Sequence, residues 1–239
     1  ARGLSDPRHL STVAKSGAAE AVCLEALSRL DESRALGAIA RHAKHEAAAI
    51  AALARLTDDS EILDTSLNHV GSDSIYFDRF GNHRSQGAFE GERINPASPY
   101  AGWFSFDATQ HEPDKQYKGW VGGSDLPEID KAAPDFRRFA YRARDSVMKQ
   151  WLDRGAAGWR MDVAPWVPDD FWREWRTEVK RHRPDALTVA ETWFDASKYF
   201  LGDMFDSTMN YIFRNAVLEY AAGGDARKLV ANLELMREA

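Results

Sequence analysis

Cysteine is almost missing from this chain: Cys23 stands alone among 239 residues. That excludes an internal disulfide and any multi-cysteine metal site, and the Ala/Leu-rich surroundings of Cys23 predict a buried packing residue. Long apolar runs are missing too, since charge interrupts each one well before bilayer thickness, so no membrane partner is expected. No strongly basic tract offsets the formal charge of -6, which argues against nucleic acid as a partner. A signal-peptide pattern is not visible, which predicts a cytoplasmic protein, with room for an upstream piece because the first residue is Ala. What remains, 44% hydrophobic and 28% charged residues, is an ordinary globular composition with length for one large domain or two smaller ones.

Tryptophan and tyrosine are absent from residues 1–62, although the chain holds eight and seven of them. This first segment is rich in Ala, Leu and Arg, and it repeats. At an offset of 26, Leu10, Ala14, Ala21, Ala26, Leu27, Arg29 and Leu30 recur as Leu36, Ala40, Ala47, Ala52, Leu53, Arg55 and Leu56. Two helices of about ten residues each fit one unit, and such pairs stack because one pair alone cannot bury its apolar face. The stretch resembles HEAT-like helical repeats; a plain helical hairpin or bundle without a partner fits the same residues.

Beyond residue 62 the texture changes, giving a second domain over 63–239. "EILDTSLNH" reads as a short strand with a polar end. The stretch from Val70 to Pro134 is irregular, rich in aromatics and far too long for a plain connection, so it predicts an inserted subdomain or lid over about 70–134. Three βα-like steps follow: "AAGWRMDVA" with its helix, "ALTVAETW" with "DASKYFLGDMF", and "DSTMNYIF" with "RNAVLEYAAGG". Strands alternating with helices in this way predict a parallel α/β sheet.

"GWRMDVA" places Trp159, Met161 and Val163 on one face and Arg160 and Asp162 on the other. A structural Arg-Asp ion pair would explain that much. Glu191, however, lies 29 residues after Asp162, about one helix and one strand on, so both acids should reach the same carboxyl-terminal rim on neighbouring parallel strands. A pair of carboxylates with an arginine and a histidine beside them suits glycosidic bond cleavage. One attacks the anomeric carbon and the other protonates the leaving oxygen; retention of configuration requires them about 5 to 5.5 Å apart.

"DTSLNH", "GWRMDVA" and "AETW", in this order, resemble three motifs of the α-amylase family of glycoside hydrolases. "LPEID" sits where that family has a further motif, and "FDSTMNY" resembles the next strand of its neopullulanase and cyclomaltodextrinase branch. The resemblance covers about residues 61–224. It implies a retaining hydrolase of α-1,4 or α-1,6 bonds in α-glucan oligosaccharides, with Asp162 as nucleophile, Glu191 as general acid/base and Arg160 holding Asp162 ionised. His69 would bind the sugar at the cleavage point, Asp64 and Asn68 would order the rim beside it, and the inserted subdomain would line the cleft. Tyr76, Trp103, Trp120 and Trp166 are candidate sugar platforms, with a subdomain core as the competing role for each ring. Trp193, two residues after the acid, is expected to desolvate Glu191. For calcium, "DSIYFDRFGN" offers oxygen ligands but no loop of recognised spacing, so no metal or cofactor is assigned.

The family barrel has eight strands and a third carboxylate, an aspartate in a His-Asp pair after the seventh. No histidine follows His182 here, and the place of the first two strands is taken by the helical repeat. The expected fold is therefore an incomplete (β/α)8 TIM barrel, about strands 3 to 6 with an inserted subdomain, preceded by an all-α segment, with a junction near residues 60–64. Open sheet edges predict self-association or a partner chain that completes the barrel. A catalytically inactive fusion, a helical interaction module carrying a glycosidase remnant, is the alternative function.

Overall fold

The protein is described by a computed structural model over residues 6–55, 62–84 and 86–238. Four short helices come first: α1 (Pro7–Ser16), α2 (Glu20–Ser28), α3 (Ser33–His42) and α4 (Glu46–Leu53). Asp6 caps α1 by accepting from the Arg8 amide at 2.8 Å, and Pro7 fits the first turn, where no amide is needed. α1 pairs with α2 and α3 with α4, and the two hairpins stack, α1 on α3 and α2 on α4. The 26-residue recurrence has a physical cause in this stacking: Leu10 and Leu36, and Ala26 and Ala52, occupy matching places in one buried core. The linkers are also tied together, Lys44 N–H donating to Lys15 O at 2.7 Å and His45 Nε2 meeting Gly17 O at 3.0 Å. Cys23 is buried, as its surroundings predicted. The last repeated residue, Leu56, and residues 60 and 61 of the expected junction lie outside the described residues.

Four parallel strands make the second part: β1 (Ile62–Ser66), β2 (Gly158–Asp162), β3 (Leu187–Ala190) and β4 (Ser207–Thr208), in that spatial order. Register pairs Asp64 with Arg160, Ser66 with Asp162, and Met161 with Ala190. One face of the sheet therefore carries Trp159, Met161 and Ala190, buried under helices, while the other carries Asp64, Arg160 and Asp162. The main covering helix is α7 (Asp169–His182), whose Phe171, Trp172, Trp175 and Val179 fall at helical spacing and are all fully buried.

Three expectations are corrected. "FRRFAYRARDSVMKQWLDRGAAG", which reads as one helix-like stretch before β2, is broken into the end of α5 (Pro134–Arg137), a π turn over Arg138–Arg142, and α6 (Val147–Asp153). Here Arg137 and Arg142 both grip Glu174 on α7, with Tyr141 O–H donating to it as well, so tertiary charge pairing goes with the changed local winding. "DASKYFLGDMF" is no full helix but a single 3-10 turn, Ser197–Phe200, between β3 and β4. β4 has two residues only, and "NYIF" belongs to the start of α8 (Tyr211–Ala221), which turns back into α9 (Ala226–Glu238).

The segment between β1 and α5 is held by short turns and by rings, Phe77 packing on Phe89, Phe104, Phe106 and Tyr117. Arg79 binds it from the side through Glu92, Asp114 and the Tyr117 hydroxyl. At the free edge of β1 a groove of about 680 Å³ runs between α3 (Ala40, His42) and the strand (Leu63, Thr65), so the helical segment stands beside that edge without closing it.

Candidate active site

Parallel register brings the charged ends of β1, β2 and β3 level, and one side chain joins them. Arg160 Nη1 donates to Asp64 Oδ1 and to Asp162 Oδ1, both at 2.8 Å, while Nη2 meets Glu191 Oε1 at 2.7 Å. Because both acids touch one planar guanidinium, these Asp162 and Glu191 oxygens are separated by roughly 8 Å at most. Burial works against the Arg160 cation, but its hydrogen bonds to Asp64 and Asp162 outweigh that and hold it above arginine's ordinary value. Its Nε also points at Met209 Sδ, 3.2 Å away.

Glu191 is largely buried and accepts on both oxygens: Oε1 from Arg160 and, at 3.4 Å, from the Tyr211 hydroxyl; Oε2 from the Val163 amide at 2.9 Å. The Val163 contact depends on an unusual backbone, φ 44° and ψ 44°, left-handed at a β-branched residue. Such strain costs on the order of 1 to 3 kcal/mol and here aims an amide at a carboxylate. The expected desolvation of Glu191 by Trp193 has a different setting. Trp193 is 37% exposed and packs edge-on against Trp166, and the direct neighbours of Glu191 are a cation, an amide and a phenol.

His69 follows β1, its Nε2 4.0 Å from Asp162 Oδ2 and its Nδ1 3.2 Å from the Asn68 amide nitrogen. Burial pushes its imidazole below the ordinary value of 6.5; Asp162 pulls the other way. Trp120 stacks on the His69 ring at 5.2 Å, Trp166 meets Trp120 edge-on, and Trp193 meets Trp166, giving a row of rings that starts at His69. Trp166 is 44% exposed, as an aromatic platform requires.

The structure thus brings Asp64, Asn68, His69, Arg160, Asp162, Glu191 and Trp120 together. Tyr76 and Trp103 pack instead with Tyr100 and with Phe139 of the π turn, and Trp103 is buried in the core that also holds Trp159 and Met161. Three contributors went unassigned in the sequence: Met209 and Tyr211, although "FDSTMNY" was singled out, and Val163, whose role is carried by backbone that no side chain announces. In "DSIYFDRFGN" the Asp78 carboxylate accepts from the amides of Asn82 and His83.

The family model described as "Alpha amylase, catalytic domain" matches residues 52–238. The chain belongs to the α-amylase family. Amylopullulanase from Thermoanaerobacter thermohydrosulfuricus is 38% identical over 178 residues, 66% of this chain and 12% of that protein. Neopullulanase 2 from Thermoactinomyces vulgaris is 36% identical over 152 residues, 56% of this chain and 26% of that one. Among solved structures, the cyclic α-maltosyl-(1→6)-maltose hydrolase of Arthrobacter globiformis in complex with maltose superposes with a TM-score of 0.64 at 28% identity, over 80% of this chain and 42% of its own. This α-amylase family chain therefore spans well under half the length of these relatives, and its sheet is a fragment of a TIM barrel.

Proposed function

We propose that this chain carries the cleavage centre of a retaining α-glucan hydrolase, acting on α-1,4 and in part α-1,6 bonds of maltodextrin-like oligosaccharides. The observation that supports it most is the single guanidinium of Arg160 holding Asp64, Asp162 and Glu191, with His69 beside Asp162. In this reading Asp162 attacks the anomeric carbon as Glu191 gives a proton to the leaving oxygen; water then cleaves the glycosyl-enzyme with Glu191 as base. Glu191 begins as an acceptor on both oxygens, so its Oε1 must leave Arg160 before it can carry that proton. The rings of Trp120, Trp166 and Trp193 would receive sugar faces. The relatives' printed names, amylopullulanase, neopullulanase and cyclomaltodextrinase, agree with this substrate class. A cytoplasmic setting is part of the reading, and one relative is named an intracellular maltogenic amylase.

A chromogenic maltoside assay on the purified chain, with Asp162→Asn as control and circular dichroism on both, tests the proposal. Turnover that Asp162→Asn abolishes supports it. A folded chain without turnover supports the second reading: a HEAT-like interaction module, as the two stacked hairpins allow, carrying an inactive remnant. Self-association, or a partner chain that adds to the four described strands, would show as activity that rises steeply with protein concentration.

A further inference from the structure

We propose that Asn68 is a positioning residue that fixes His69 as the neutral tautomer with its proton on Nε2, so that the ring presents a donor to the hollow beside Asp162. The two ring nitrogens face unlike neighbours. Nδ1 lies 3.2 Å from Asn68 Nδ2, and an amide nitrogen only donates, so Nδ1 must offer its lone pair. Nε2 lies 4.0 Å from Asp162 Oδ2, which only accepts when ionised.

Turning the amide over gives the opposite tautomer and a poorer arrangement. With Oδ1 toward the ring, Nδ1 would carry the proton, and the bare lone pair of Nε2 would then face the Asp162 carboxylate across 4.0 Å, an arrangement of two acceptors. Asn68 is fully buried with its backbone tied on both sides, its amide to Ser66 Oγ and its carbonyl to the Ile129 amide, and its Oδ1 has no hydrogen-bond partner among the described residues, so the contact of Nδ2 with His69 Nδ1 is what orients the side-chain amide. Trp120 stacked on the ring limits its rotation to the plane that joins these two neighbours.

A tautomer matters only for a ring with one proton, and the surroundings favour that state. Burial is the main cause that lowers the His69 value; the Lys131 cation adds to it, while Asp162 and Glu128 oppose. Lys131 is in turn lowered by burial and steadied by Glu128, 3.7 Å away. The charged groups around the ring therefore come from β2 and from the segment before α5.

The inference deepens the proposed cleavage centre and rests on it only for the purpose of the donor; the tautomer is measured without sugar and without turnover. Nitrogen-15 correlation spectra of the imidazoles in the full chain, with the His69 signals assigned by their loss in His69→Gln, read the proton directly. At neutral pH His69 Nδ1 should resonate in the unprotonated region and Nε2 in the protonated region. Asn68→Leu, which keeps size and removes the donor, should move both signals toward the average of exchanging tautomers. A wild-type ring protonated on Nδ1, or one protonated on both nitrogens at neutral pH, overturns the proposal. So does an Asn68→Leu spectrum identical to wild type, because Asp162 alone would then account for the state. If Asn68→Leu does not fold, the wild-type spectrum still decides the tautomer, and Asn68→Ser, a smaller change, decides whether Asn68 sets it.

Discussion

Two carboxylates outside the cleavage centre set how the chain meets acid. Asp206 accepts from Lys180 Nζ at 2.7 Å, from Arg176 Nη2 at 2.8 Å, and from the amide and hydroxyl of Thr188, each at 2.9 Å. Burial would raise it, but these bonds outweigh burial and pull it from 3.8 to about 2. Glu174, between Arg137, Arg142 and Tyr141, goes from 4.5 to about 2 by the same balance. Both folded values lie below the unfolded ones, so the stability they supply is complete above about pH 4.5 and is lost as pH falls toward 2. Urea midpoints should therefore decline through that window. Asp206→Asn should lower stability at pH 7 by about 2 to 3 kcal/mol, since it leaves two cations partly buried, and should flatten the acid slope. A variant with the wild-type acid slope would show that Asp206 is not the group responsible. Arg160 itself was legible as a partner for Asp162, because both fall on the charged face of one strand. That it also binds Glu191 was not, since a distance across two strands depends on register and side-chain reach.

At the level of elements, β2 was readable because one face had to be apolar and the other was not. β3 and β4 stand closer to the limit of what a sequence shows: four and two residues hold too little alternation to fix their ends. The π turn at Arg138–Arg142 goes with partners on α7, more than 30 residues away, and no local pattern carries that. Gly158 shows how tightly β2 and β3 are set. A Cβ there would stand 2.0 Å from Leu187 O and 2.7 Å from Leu187 N and C, all backbone of the neighbouring strand. The strands cannot part without losing the Gly158–Leu187 pairing, so Gly158→Ala should cost at least about 2 kcal/mol, read as a lower melting temperature by circular dichroism. An unchanged melt would mean that the β2–β3 register differs from the one described. Because that register also levels Asp162 with Glu191, the same variant tests the geometry of the site indirectly.

For the whole molecule, the helical segment and the barrel fragment differ in how completely they bury apolar surface. The stacked hairpins close a core of their own, whereas α8 and α9 pack on each other with Ala216 as the one buried residue of α8. Phe213, Val217, Leu218, Tyr220, Val230 and Leu233 on these two helices are all between 37% and 52% exposed. Exposed apolar patches beyond about 300 to 600 Å² mark association surfaces, and these six large side chains on one hairpin are where such a patch would form. Among the described residues β1 and β4 are the outer strands of the sheet, so they add two edges. Sedimentation velocity on the purified chain should accordingly show an average mass that climbs with concentration. Leu218→Glu combined with Leu233→Glu should move the distribution back toward monomer, since a charge on each helix opposes burial of that face. If the double variant associates as strongly as the parent while remaining folded, the open strand edges and not the hairpin hold the assembly. A parent that stays monomeric at every concentration would mean that the exposed face is compatible with solution as it stands, and that no second copy closes the sheet.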